Sequence, residues 1–193
     1  MTEKLEQYIL DHTSPENPVL ADLCRETQHK ILLSRMLSGH LQGKVLEMFV
    51  KMIKPENILE IGTYTGYSAI CMAHGLGNDG LIQTIEINDE LEAFIRKYIQ
   101  KSGMENRIKL HIGDAKEIIP LLPENFDLVF IDGDKREYLS YYKLIIEKTK
   151  KGGFIMADNV LWNGKVIMPL QGNDEYTAGI IEFNEYVHQD PRV

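Results

Sequence analysis

From residue 57 onward the chain changes period. Five short apolar segments, NILEIGT, LIQTIEI, IKLHIG, FDLVFID and GGFIMADN, alternate with helical spacing at residues 67–76, 89–102, 116–122 and 136–150. No other feature constrains the fold as much. Strands separated by helices require right-handed crossovers and a mostly parallel sheet covered by helices on both faces. The second helical stretch is the clearest, because Leu91, Phe94, Ile95, Tyr98 and Ile99 form one apolar stripe that Ser102 and Gly103 close. The expected fold class is α/β.

Residues 1–54 read as a helical N-terminal segment. EKLEQYILDH is amphipathic, and Ser14 ahead of Pro15 and Glu16 signals a helix start. Leu41, Val45, Met48, Phe49 and Met52 follow helical spacing up to Pro55. No repeat, low-complexity tract or linker marks a boundary, so residues 1–193 are expected to form a single domain. A net charge of −8 argues against broad nucleic-acid affinity, which needs a basic surface. No apolar run approaches a membrane span, and MTEKLEQYIL lacks the basic-then-apolar order of a signal peptide, so a cytoplasmic location is expected. Cys24 and Cys71 have no metal-binding spacing and read as reduced thiols in helices.

In open parallel sheets ligands bind beyond the carboxyl ends of the strands, where the strand order reverses. The residues at those ends are Glu60 and Gly62, then Glu86, then Gly113 and Asp114, then Asp132, then Asp158 and Asn159. The turn EIGTYTGYS follows a strand and opens a helix, but Gly62 and Gly66 make G-x-x-x-G and not the G-x-G-x-x-G of dinucleotide sites. Glu60 ahead of the turn would repel a pyrophosphate and would suit an ammonium. Glu86, 24 residues after Gly62, is placed to accept hydrogen bonds from ribose hydroxyls. A ligand with a ribose, an ammonium and no phosphate fits S-adenosylmethionine. A purely structural glycine turn is the competing reading.

Asp132, Asp158 and Asn159 are hard oxygen donors suited to Mg²⁺, Mn²⁺ or Ca²⁺, and they converge if their two strands are neighbours. Ordinary turn chemistry is the alternative for each segment alone. Lys135 could reach the same place, and Asp134 reads as an exposed helix cap.

The stretches ILEIGTYTGYSAI, TIEIN, GDA, FIDGDKREY and MADNVLWNGKV, in that order, resemble the cation-dependent class I O-methyltransferases. That family includes catechol and caffeoyl-CoA O-methyltransferases and bacterial relatives. The resemblance implies a Rossmann-like methyltransferase fold and metal-dependent methylation of a small phenolic, catechol-like hydroxyl. It implies that Glu60, Gly62, Tyr64 and Ser68, with Met36 and Ser38, contact the methionine end of the cofactor and that Glu86 contacts its ribose. Gly113, Asp114 and Ala115 would lie along the adenine. Asp132, Asp158 and Asn159 would hold a divalent cation, Mg²⁺ foremost, with Asp132 also near the cofactor's amino group. Lys135 aligns with the family's general base, and Trp162 would wall the acceptor pocket or simply pack. A homodimer through the N-terminal helices is implied by the same analogy. Family members continue past the last helix into an antiparallel hairpin, whereas this sequence stops at VHQDPRV, so the hairpin is expected to be missing. Methylation of a hydroxylated tRNA base, as some bacterial relatives perform, and a non-catalytic cofactor-binding subunit remain alternatives.

Overall fold

The computed structural model describes residues 3–123 and 125–193. Helices α1 (Glu3–Asp11), α2 (Pro18–Lys30) and α3 (Gly39–Ile53) come first, followed by alternating strands and helices. These are β1 (Asn57–Ile61), α4 (Tyr67–Gly75), β2 (Leu81–Glu86), α5 (Glu92–Lys101), β3 (Ile108–Ile112) and α6 (Ala115–Ile118). Next come β4 (Phe126–Ile131), α7 (Tyr138–Ile145), β5 (Thr149–Ala157) and α8 (Glu175–Gln189). The strands form one sheet in the order β3-β2-β1-β4-β5, which is the expected α/β architecture. Chain direction across the sheet reverses between β1 and β4, so these two strands flank the switch point. They run parallel, with Ile58 opposite Leu128 and Ile61 opposite Ile131. On its other side β4 pairs in parallel with β5, bringing Ile131 opposite Ala157. The two strands that carry the candidate metal ligands are therefore neighbours.

The described residues gather into two compact units. One draws on Met1–Glu56, Tyr64–Ile82 and Glu90–Lys109, and the other on Asn57–Thr63, Gln83–Asp89 and Leu110–Val193. In the first unit an ionic network ties α2 to α5. Glu26 accepts hydrogen bonds from the Tyr98 hydroxyl at 2.5 Å, from Lys97 at 2.5 Å and from Lys30 at 2.9 Å. In the second unit Phe126, Val129, Ile131, Tyr138 and Ile145 are buried in one apolar cluster, against which Phe183 of α8 packs. No helix among the described residues is long and apolar enough to cross a membrane.

Three local readings change, and α3 forms as expected with its buried face now defined. The start of α2 is at Pro18, with Asn17 accepting from the Val19 N–H at 2.8 Å, and not at Ser14-Pro15. Both sites pair a polar residue with proline, and the second provides the cap hydrogen bond as well as proline in the first turn. Helix α6 shrinks to one turn followed by a 3-10 turn, Ile119–Leu121, because Pro120 has no N–H to continue the ladder. Helix α7 stops at Ile145 and not near residue 150. Thr149 donates its hydroxyl to the Ile145 carbonyl, and the Phe126 N–H bonds the Lys148 carbonyl at 2.8 Å, drawing the chain into β5. In α3 the buried face is Gly43, Leu46 and Val50, while Val45, Met48, Phe49 and Met52 are exposed.

Candidate active site

The segment after β4 is built by backbone hydrogen bonds to both neighbours. The Asp132 N–H donates to the Ile61 carbonyl at 2.8 Å, and the Asp158 N–H donates to the Ile131 carbonyl at 3.0 Å. Two carboxylates thus leave the sheet at adjacent strand ends. Asp134 then accepts from the Arg136 N–H at 3.0 Å and caps the 3-10 turn Lys135–Glu137, the expected capping role, although its side chain is half-buried and not exposed. This turn swings Lys135 back, so that its Nζ lies 2.6 Å from Asp132 Oδ1 and donates to the Tyr138 hydroxyl at 2.8 Å. Lys135 is only 7% exposed, which is rare for a lysine, a residue type that usually lies in solvent.

Burial pushes the Asp132 carboxyl above the ordinary aspartate range; Lys135 draws it back and the Asp158 charge adds to the rise. Burial, together with the Asp132 and Asp158 charges, also pushes the Tyr138 phenol well up, so Tyr138 is a neutral hydroxyl at neutral pH. Asn159 follows in the left-handed region at φ 59°, a conformation asparagine tolerates, and its N–H donates to Asp158 Oδ1 at 2.7 Å. Asp158 and Asn159 therefore do make a turn, and turn chemistry coexists with the ligand reading. Among the described residues there is no cluster of three or more His, Cys, Asp or Glu side chains of metal-binding geometry. The candidate set has a different composition, two carboxylates and one amide oxygen. Its chemistry fits a hard divalent cation and not a thiophilic one.

Across the switch point the turn after β1 packs against the same segment. Gly62 has φ 99°, and a Cβ there would lie 2.7 Å from the Asp132 carbonyl carbon and 3.0 Å from the Gly133 nitrogen. Both the conformation and the space require glycine. The N–H groups of Gly62 and Thr63 donate to the Ile85 carbonyl at 3.0 and 3.2 Å, fixing the turn over β2. Glu60 is completely buried, and the Thr84 hydroxyl donates to its Oε2 at 2.5 Å. Thr63 Oγ1 lies 2.5 Å from Thr84 Oγ1 and completes the chain. A carboxylate held this far from water is costly unless charge or hydrogen bonds compensate it, and a bound ammonium would supply charge.

Glu86 is 7% exposed, and its Oε1 accepts from the Asn88 N–H at 2.9 Å. The Gly113 N–H donates to the Glu86 carbonyl at 2.8 Å, Asp114 caps α6 through the Lys116 N–H at 2.8 Å, and Ala115 is buried at its start. The structure thus gathers Asp132, Lys135 and Asp158 into one cluster and keeps Glu60, Gly62, Glu86 and Gly113 at strand ends of the same unit.

Met36, Ser38, Tyr64 and Ser68 belong to the other unit. Met36 ends an exposed 3-10 turn, and Ser38 precedes α3. Tyr64 sits at φ 51° with its hydroxyl donating to the Leu32 carbonyl at 2.9 Å, and burial raises its phenol pKa. Ser68 is buried in the first turn of α4. Trp162 is half-buried and stacks on Tyr176 with ring centroids 6.3 Å apart, so part of it is packing. The loop it opens exposes Leu161, Ile167, Met168 and Leu170, and an ion pair between Lys165 and Asp174 at 2.8 Å spans it. Thr63, Thr84 and Tyr138 were not among the residues singled out from the sequence. The available signals were two polar residues interrupting apolar segments and a tyrosine three positions after Lys135.

A family model described as O-methyltransferase matches residues 10–193. Caffeoyl-CoA O-methyltransferase of Eucalyptus gunnii is 36% identical over 203 residues, covering 100% of this chain and 82% of that protein. The solved O-methyltransferase of Bacillus cereus in complex with SAH superposes with a TM-score of 0.92 at 30% identity, over 97% of this chain and 86% of that one. The O-methyltransferase TomG of Streptomyces achromogenes, solved with SAM, gives a TM-score of 0.90 at 26% identity, over 98% of this chain and 88% of the other.

Proposed function

Because the chain belongs to the O-methyltransferase family and is S-adenosylmethionine-dependent, we propose that its acceptor is a small phenolic, catechol-like hydroxyl and that transfer requires a divalent cation. The observation carrying this reading is the cluster of Asp132, Asp158 and Lys135 at adjacent strand ends beside the switch point. When bound, S-adenosylmethionine supplies an electrophilic methyl group and the cation supplies positive charge that favours an ionised acceptor.

The chain's own groups have distinct tasks. Asp132, Asp158 and Asn159 would hold the cation, and Mg²⁺ fits an all-oxygen donor set. Lys135 Nζ would take the hydroxyl proton or help place the acceptor oxygen; a phenol with an ordinary pKa of about 10 is otherwise a poor nucleophile at neutral pH. Glu60 would face the cofactor's amino group, with Gly62, Tyr64, Ser68 and Met36 at its methionine end. Glu86 would bind the ribose, and Gly113, Asp114 and Ala115 would line the adenine. Trp162 and the exposed loop after it would meet the acceptor's ring. One family model running from residue 10 to 193 supports reading the chain as a single methyltransferase domain. A homodimer is part of the same proposal, supported by the exposed stripe of Val45, Met48, Phe49 and Met52 on α3. A cytoplasmic location is supported by the two free thiols, Cys24 and Cys71.

The test is transfer of labelled methyl to 3,4-dihydroxybenzoate and related catechols, with Mg²⁺ and then with excess chelator. The proposal expects activity that chelator abolishes and Mg²⁺ restores. Turnover that survives chelation would reject the cation, and turnover only on hydroxylated tRNA would reject the phenolic acceptor.

A further inference from the structure

The Tyr138 hydroxyl sits where three parts of the site meet. It accepts from Lys135 Nζ at 2.8 Å, and its single proton faces two backbone carbonyls, those of Ile131 and Asp158, each at 3.1 Å. Ile131 is the last residue of β4, and Asp158 is the first residue after β5. The ring itself is completely buried and its hydroxyl has three hydrogen-bond partners, so the oxygen has little freedom to move; Phe183 of α8 lies edge-on to the ring at a centroid distance of 5.4 Å. Lys135 Nζ also lies 4.9 Å from the centre of this ring, so the tyrosine meets the amine with both its oxygen and its π-face.

We infer that Tyr138 is a positioning residue for the reaction. Its hydroxyl fixes Lys135 Nζ against the paired ends of β4 and β5, and so sets the lysine at a defined place relative to the Asp132–Asp158 pair. A lysine side chain has four rotatable bonds, and Asp132 alone would leave its amine able to swing about one contact. The second anchor, tied to backbone on two strands, removes that freedom. The phenol is suited to the task because one oxygen can accept from the amine while donating to the main chain. This inference rests on the proposed role of Lys135 and extends it to a completely buried residue behind it.

Tyr138→Phe keeps the ring and removes the oxygen. With 3,4-dihydroxybenzoate as acceptor, the expected result is a loss in kcat of about tenfold or more, with KM for cofactor and acceptor within about twofold. In the Lys135→Met background the same change should cost nothing further, since the two residues act as a unit. Phe183→Leu disturbs the packing of the same ring and should leave kcat within about twofold. An independent readout is reductive methylation of lysines by labelled formaldehyde, followed by peptide mass spectrometry. Modification of Lys135 relative to the exposed Lys151 should rise several-fold in Tyr138→Phe and stay unchanged in Phe183→Leu. This arm decides the positioning claim whichever hydroxyl the enzyme methylates. Equal labelling of Lys135 in wild type and Tyr138→Phe would overturn the inference. If Lys135→Met is impaired while Tyr138→Phe is not, only the tyrosine's role fails. An unimpaired Lys135→Met would remove the lysine's role and the tyrosine's catalytic effect together.

Discussion

Replacing Gly62 by alanine tests how the two halves of the site are held together. Two costs follow from the structure. The backbone sits at φ 99°, which an L-residue adopts at a cost of about 1–2 kcal/mol. The new Cβ would lie 2.7 Å from the Asp132 carbonyl carbon, and because the obstacle is backbone it cannot turn aside. Forcing a methyl group into such a contact typically costs about 1–3 kcal/mol. Together these give about 3 kcal/mol, a large share of a typical stability of about 5–15 kcal/mol. For a chain of this length that corresponds to a fall in Tm of about 6–12 °C. Gly103 separates the two contributions, because it sits at φ 70° with nothing within 4 Å of an added Cβ. Gly103→Ala should cost about 1 kcal/mol, the conformational part alone. Urea unfolding of both variants followed by circular dichroism makes the comparison. Equal midpoint shifts for Gly62→Ala and Gly103→Ala would refute the claim that the turn after β1 and the segment after β4 are in contact through this glycine.

Two further outcomes are expected. Glu86→Gln should weaken S-adenosylhomocysteine binding by about 10–100-fold in calorimetry, the value of losing charge-assisted hydrogen bonds to a ribose; a Kd within twofold of wild type would remove Glu86 from the cofactor site. Glu26, held by Lys97, Tyr98 and Lys30, has its pKa lowered from 4.5 to about 2. A depressed carboxylate stabilises the fold fully above its unfolded pKa and ceases to do so as pH falls through its folded pKa, so its contribution is present above about pH 4.5 and lost toward about pH 2. Glu26→Gln should therefore lower Tm at pH 6 and flatten its decline between pH 4.5 and 2, whereas an equally steep decline would show that this network does not govern the acid limb.

Much of the candidate site could be read from strand ends alone. The change of period after residue 55 revealed the elements, and in a parallel sheet every strand end lies on one edge, which singled out Glu60, Glu86, Asp132 and Asp158. The pairing of β4 with β5 was not legible, since strand order depends on long-range contacts that local spacing does not encode. Tyr138 was hidden for a related reason. Its three hydrogen-bond partners lie 3, 7 and 20 residues away, and only the fold brings the last two together. In α3 the apolar residues spread over about half of the helix circumference, wider than one buried stripe, so periodicity could not say that Leu46 and Val50 would be buried and Met48 and Met52 exposed. The boundary between α7 and β5 was lost because TKKGG suits neither element strongly, and pairing with β4 decided it.

The position of β4, flanked on both sides by β1 and β5, has a consequence for how the molecule opens. Amide hydrogens in such a strand exchange with solvent only when the sheet itself comes apart, whereas exposed loops open at little cost. Asp132, whose amide is bonded to Ile61, belongs to the first class, and the loop carrying Leu161, Ile167, Met168 and Leu170 belongs to the second. Hydrogen exchange would therefore divide the candidate site by timescale, with Asp132 in the region that opens last and the surface proposed to meet the acceptor in the region that opens first. Substitutions can accumulate in that loop with little loss of stability, while the residues proposed to act in the transfer stay tied to the survival of the fold.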